Sequence, residues 1–202
     1  MSELLFASNN AHKADEFRNI LNQQLSILTL KEAGIQINIP EPHPTLKENA
    51  LEKARVIFAL TGKDCFSEDT GLEVYALDGK PGVNTARFAG EHASDQDNIQ
   101  KLLESLAGHQ NRSARFVTVI CLIWKGQEFF FNGTCEGTIA LQPSGQTGFG
   151  YDPIFIPIGY EQPFAELGME VKKSVSHRKK AADQLAAFFN NPSLHMSHEA
   201  SA

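Results

Sequence analysis

The sequence is short of cysteine, of positive charge and of long apolar runs, and each shortage closes off a class of protein. Only three cysteines, Cys65, Cys121 and Cys135, occur in 202 residues. They sit in or beside apolar, strand-like runs with no CxxC or metal-ligand spacing, and an odd count without a framework argues against a disulfide-stapled secreted domain. Basic residues are outnumbered, 18 Lys+Arg against 24 Asp+Glu, for a formal net charge of −6. Binding to nucleic acid through bulk charge needs the opposite balance. No apolar run approaches the ~18–20 residues of a membrane span, and the N-terminus turns polar at Ser8 after the short run Leu4–Ala7, so no signal peptide is read. A cytoplasmic protein with neither a membrane nor a nucleic-acid partner is the expectation.

What is present suits one globular domain: 42% of residues are hydrophobic and 21% charged, enough to build a core and keep it in water. Strands and helices alternate along the chain. Leu4–Ala7 reads as a buried strand, and Ala14, Phe17, Ile20 and Leu21 space a helix from about Ala11 to Leu25. Thr45-Leu46-Lys47-Glu48 is a capping-box sequence that opens a second helix, running to about Leu60 and stopped at Gly62. A third begins at Ser94 or Asp95, buries Ile99, Leu102, Leu103 and Leu106, and ends at Gly108. The β-branched and aromatic runs Ala114–Trp124 and Glu128–Cys135 flank Lys125-Gly126-Gln127 as a hairpin. Shorter strands are expected over 64–67 and 72–76. A last helix starts at about Ser176, buries Ala182, Leu185, Ala186 and Phe189, and breaks at Asn190-Asn191-Pro192. Without repeats or linkers, the chain reads as one α/β domain with a mixed sheet over 1–191 and a polar tail over 192–202. His195 and His198 in that tail are spaced like metal ligands but lack a third.

Four polar clusters carry potential chemistry. Ser8, Asn9, Asn10, Ala11, His12 and Lys13 stand between the first strand and first helix, where free amides and a lysine favour an anion. The glycines and the Lys-Ser/Thr pair of a P-loop are missing, and by position alone the stretch reads first as a helix cap with Lys13 a solvated side chain. Glu41 precedes the second helix, on which Asn49 and Lys53 share a face; that lysine either snorkels or enters a cleft. Glu68 and Asp69, followed by Thr70 and Gly71, offer carboxylates to a hard cation, or else form a turn. Phe149, Gly150, Tyr151 and Asp152 combine stacking surface with an acceptor, and Lys172, His177 and Arg178 add cationic groups around a helix start. Taken singly, these last two pieces also read as a Gly-Pro turn and a solvated basic face.

In this order the stretches SNNAHKADEF (8–17), TLKENALEKA (45–54), SEDTGLEVYALDGKPGVNTARFAG (67–90), GFGYDPIF (148–155) and SHRKKA (176–181) resemble the inosine triphosphate pyrophosphatase family. These are house-cleaning enzymes that hydrolyse aberrant purine nucleoside triphosphates such as ITP, dITP and XTP. The resemblance implies a two-lobed α/β fold with an elongated mixed β-sheet flanked by helices, a nucleotide cleft, a homodimer and a requirement for Mg2+. Carried over residue by residue, it makes Ser8 to Lys13 a triphosphate-binding segment, Lys53 a second cation over the phosphates with Asn49 as its neighbour, and Asp69 the catalytic carboxylate. Glu41 and Glu68 then join Asp69 at the metal, and Thr70 keeps a hydroxyl where serine is common. Phe149, Gly150, Tyr151 and Asp152 form the base pocket with Lys172, His177 and Arg178. On this reading Lys13, Lys53, Lys172 and Arg178 converge with Mg2+ on one cleft. The apolar hairpin face around Phe129–Phe131 is a candidate dimer surface. A Maf-like pyrophosphatase of different base specificity and a non-catalytic nucleotide-binding regulator are the alternatives, separated from this reading by a substrate panel.

Overall fold

The computed structural model describes residues 2–21 and 25–191, so His195 and His198 fall outside it. Its elements follow in the order β1 (Ser2–Phe6), α1 (Ala11–Ile20), β2 (Leu25–Thr29), α2 (Leu46–Thr61), β3 (Cys65–Val74), β4 (Pro81–Gly82), α3 (Asp95–Ser105), β5 (Ser113–Trp124), β6 (Gln127–Ile139), β7 (Phe155–Pro157), α4 (Phe164–Val175) and α5 (His177–Asn190). The strands form one mixed sheet in the order β2-β1-β3-β5-β6-β7, with β4 also on β3. β1 is parallel to β2 and β3; the other pairings are antiparallel.

The long strands β3, β5 and β6 carry a different core at each end. At one end, Phe66, Ile120 and Leu122 face α1 and α5, while Cys65, Val119, Cys121 and Ile123 face α2. Helices on both faces explain why β5 is apolar at nearly every position there rather than at every second one. At the other end, Leu72, Val74, Ala114 and Phe116 pack with Ile99 and Leu102 of α3 and with Phe155 and Phe164. These two cores give the fold its two lobes. β5 covers one whole edge of β3, but on the other edge β1 pairs only with Cys65–Phe66 and β4 only with Leu72–Glu73. Residues 67–71 are left on an open edge between the lobes, and the cleft forms there.

Several elements depart from the expectation. The strands read at 64–67 and 72–76 are one, because the polar residues between them pair without a break to β5, Asp69 opposite Val119 and Thr70 opposite Thr118. α1 stops at Ile20, and Leu25 begins the unanticipated β2, which covers the free edge of β1. α4 was also unanticipated: Gly168, at φ 76, interrupts its periodicity. The hairpin face around Phe129–Phe131 is half-buried, with Phe129 and Phe131 packed on Phe188 and Lys47 over Phe130. The three cysteines are free and buried, and burial pushes their thiols up to about 12 (Cys65), about 12 (Cys121) and about 11 (Cys135), which keeps them protonated and inert. Among the described residues no helix is long and apolar enough to cross a membrane.

Candidate active site

A cavity of about 330 Å³ lies on the open edge of β3, within the range of small-molecule sites. The start of α1 supplies one wall. Ser8 Oγ accepts the Asn10 N–H and Asn10 Oδ1 accepts the Lys13 N–H, each at 3.1 Å, so Asn10 is the cap and Lys13 is set in the first turn. Ser8, Asn10 and Lys13 line the cavity; Asn9 and Ala11 do not. His12 lies outside the lining and stacks on Phe149, with ring centroids 5.2 Å apart.

The pleat of β3 sends its two acids in different directions. Ser67 and Asp69 point to α2, where the Ser67 hydroxyl donates to the Ala50 carbonyl and Lys53 Nζ lies 3.3 Å from Asp69 Oδ1. Glu68 and Thr70 point to α1 and α5, where Glu68 pairs with Lys13 and, at 3.6 Å, with Arg178. The expectation that Glu41, Glu68 and Asp69 gather around one metal is therefore not met as a cage: among the described residues no three His, Cys, Asp or Glu side chains form a metal-holding group. Glu41 instead pairs with Lys53. Burial raises Asp69 above the ordinary carboxylate range against the pull of Lys53, with Glu41 adding to the rise. Burial also raises Glu68, but Lys13 and Arg178 outweigh it and hold that carboxyl well below the usual range. Lys53 loses ground to burial and regains more from Asp69 and Glu41. Asp69 Oδ2 is buried without a hydrogen-bond partner. Asn49 is fully buried and spends its amide on the His43 backbone, at 2.9 and 3.2 Å, holding the loop after Glu41 rather than facing the cavity.

The other wall is a buried network centred on Glu16, a residue to which the sequence assigns no role. Glu16, 3% exposed, pairs with Arg178 and, at 2.5 Å, with Lys172. Lys172 also holds Asp152 Oδ2 at 2.6 Å, and the same oxygen accepts the Phe149 N–H at 2.9 Å. Lys172 Nζ sits 4.5 Å from the centre of the Phe149 ring. Arg178 Nη2 reaches Thr70 Oγ1 at 3.4 Å, and Thr70 in turn meets Thr118 and Glu68, each at 2.5 Å. The His177 ring stacks on Phe116 at 4.6 Å. Burial, then Arg178 and Lys172, push His177 well below its ordinary value, so the imidazole is neutral. Its Nδ1 and the Arg178 Nε are buried without protein partners. α5 can bring His177 and Arg178 so close to the sheet because β6 has Gly133 there: a Cβ would strike the His177 carbonyl and lie 2.6 Å from the Ala181 nitrogen.

Each of the four expected cations is already paired. Lys13, Lys53, Lys172 and Arg178 meet five carboxylates: Glu16, Glu41, Glu68, Asp69 and Asp152. The four converge, and with Arg87 also on Glu41 at 3.7 Å the cations only balance the carboxylates, so no positive charge is spare. Val83, Thr85, Ala86, Asp95 and Phe116 complete the lining. The first three lie inside the stretch 67–90 that carries the resemblance, and Glu16 lies inside the stretch 8–17, one helical turn after Lys13 and beside Phe17 on the inward side of α1. Neither position is marked out by a motif of its own.

A model of the Ham1 family matches residues 4–188. The chain belongs to the Ham1 family. Its relatives include the dITP/XTP pyrophosphatase of Porphyromonas gingivalis, 49% identical over 93% of this chain and 97% of that protein, and that of Flavobacterium psychrophilum, 46% identical over 94% and 100%. Among solved structures, the Ham1 protein of Staphylococcus aureus superposes with a TM-score of 0.84 at 38% identity, covering 93% of this chain and 98% of that one. A HAM1 protein from Coxiella burnetii gives 0.85 at 37% identity over 94% and 99%. The α/β fold with a mixed sheet and flanking helices is common to them, as the sequence resemblance implied.

Proposed function

We propose that this Ham1-family protein hydrolyses purine nucleoside triphosphates bearing a 6-keto base, dITP, ITP and XTP, to the nucleoside monophosphate and pyrophosphate. The observation that carries the reading is a set of buried polar atoms without protein partners in one cavity: Asp69 Oδ2, Arg178 Nε and His177 Nδ1. Folded proteins satisfy such atoms unless a ligand does. The donor at Arg178 suits a keto oxygen, and a 6-amino group would leave it unpaired at a cost that supports discrimination. Phe149 supplies the stacking surface for the base, with Lys172 and Asp152 fixing it from behind. Ser8, Asn10 and Lys13 take the phosphates.

The donor set fits Mg2+. Asp69 offers a free oxygen and Glu41 is its neighbour through Lys53, and magnesium binds through one or two carboxylates with the remainder from phosphate oxygens and water. When bound, it supplies positive charge on the phosphates, which the compensated lysines do not. Asp69 accepts the proton of the attacking water, as its raised position among carboxylates suits. The water oxygen joins phosphorus on one side of the bridge between the α- and β-phosphates, and the bridging P–O bond breaks with its electron pair leaving on the departing phosphate oxygen. Lys53 steadies Asp69 at 3.3 Å throughout. That the relatives are dITP/XTP pyrophosphatases supports this reading, and a cytoplasmic homodimer acting on the free nucleotide pool belongs to it.

A substrate panel tests the proposal. With Mg2+, dITP and XTP are expected to release pyrophosphate, while dATP and pyrimidine triphosphates turn over far more slowly. Release of orthophosphate alone, or binding without product, would overturn it, and preference for pyrimidine nucleotides would favour a Maf-like specificity.

A further inference from the structure

Asp95, the first residue of α3, lines the cavity rim, and no motif assigns it a role. Its Oδ2 accepts the backbone N–H of Gly150 at 2.7 Å. Gly150 stands at φ 60, and a Cβ built there would have no neighbour within 4 Å, so packing does not hold this residue in place. The other ties of the loop are made by its other residues: Lys172 holds Asp152, the Ala165 N–H donates to the Asp152 carbonyl, and the Phe149 ring stacks on His12. Asp152 Oδ2 accepts the Phe149 N–H from within the loop, and the Tyr151 hydroxyl donates to the Thr85 carbonyl at 3.0 Å. Asp95 therefore fixes the residue that follows the Phe149 ring, from outside the loop and at its exposed side. The anchor is itself firm: Ser94 and Asp97 close a capping box around the start of α3, with bonds of 2.8 and 3.2 Å.

We propose that Asp95 is a positioning residue for base recognition, which sets the Phe149 ring by pinning Gly150 and takes no part in the chemistry at phosphorus. The inference rests on the reading of Phe149 as the base platform. It predicts a cost in substrate binding rather than in turnover. A merely structural role, as a first-turn acid on α3, would instead lower stability alone, and equally for alanine and asparagine.

The test is steady-state kinetics with dITP at saturating Mg2+, with thermal midpoints, on Phe149→Ala, Asp95→Ala, Asp95→Asn and the Phe149→Ala/Asp95→Ala pair. Phe149→Ala should raise KM by roughly fivefold or more, the loss of one base–aromatic stack. Asp95→Ala should raise KM by roughly three- to tenfold with kcat within about twofold, the loss of one hydrogen bond that orders the platform. Asp95→Asn, whose side-chain carbonyl can accept the same N–H, should return KM to near the unmodified value. The double variant should be no worse than Phe149→Ala, because one residue acts through the other. With Phe149→Ala impaired, an unchanged KM in Asp95→Ala overturns the proposal. So do an asparagine variant as impaired as alanine and a double variant whose losses add. An unimpaired Phe149→Ala removes the platform reading itself, and the proposal with it.

Discussion

Asp69 is held where burial works against its own charge, a position that favours accepting a proton over stabilising the fold. Asp69→Asn keeps the shape and removes the proposed base, so kcat should fall by roughly 10²- to 10⁴-fold. The thermal midpoint should stay level or rise, since the folded protein no longer carries a disfavoured charge. Turnover near the unmodified rate would remove Asp69 from its role. Glu16 has the opposite balance. Burial raises it, but Arg178 and Lys172 outweigh burial and bring its carboxyl below the ordinary 4.5. A depressed carboxyl contributes stability that is present above about 4.5 and is lost as pH falls through the lower folded value. Glu16→Gln should therefore cost about 3 kcal/mol at pH 7, toward the lower end for a broken buried pair because Lys172 keeps Asp152 and Arg178 keeps Glu68. Urea unfolding at pH 7 and pH 4 should show the gap between variant and parent shrinking in acid. A gap independent of pH would mean that Glu16 is not ionised in the folded protein.

Among the elements, those with complete local signals were legible in the sequence. α2 begins at Thr45, whose hydroxyl accepts the Glu48 N–H, and ends at Gly62 with φ 64; α3 carries its apolar stripe between Ser94 and Gly108. β5 and β6 declared themselves by β-branched and aromatic content around the turn at Lys125-Gly126. β3 was read as two strands because its middle is polar, and only pairing with β5 makes it one. Asp69 and Thr70 of that polar middle line the candidate site, so the local rule failed where polar groups face a cavity from within a strand. The approach of α5 to β6 is an element-scale feature with its own test. Gly133→Ala puts a methyl against the His177 carbonyl and the Ala181 nitrogen, which should cost about 1–3 kcal/mol of stability as overpacking. It should also raise KM for dITP, because α5 carries His177 and Arg178. Gly62→Ala, at a helix end remote from the cavity, should cost about 1 kcal/mol and leave KM unchanged. Equal kinetics in the two variants would sever α5 placement from binding.

The net charge of −6 has a local counterpart around the cleft, where five carboxylates pair with Lys13, Lys53, Lys172, Arg178 and, on Glu41, Arg87, and Asp95 adds a further acid at the rim. A triphosphate entering this cleft needs charge from outside the chain. Chelation with EDTA should abolish pyrophosphate release and excess Mg2+ should restore it, whereas raising monovalent salt should not, since screening does not replace a bound divalent ion. Full turnover in EDTA would overturn this charge accounting. The sequence by itself determined the long periodic elements, the absence of a disulfide framework, the family, and the chemical types gathered in its motifs. These follow from spacing over a few residues, which sets helix faces, caps and the pleat. Only the tertiary structure decided which acid meets which base: that Glu68 turns to Lys13 while Asp69 turns to Lys53, that Glu16 joins Arg178 across 162 residues of chain, and that Asp95 reaches Gly150. Such pairs are fixed by packing elements that lie far apart in sequence, and no local periodicity encodes them.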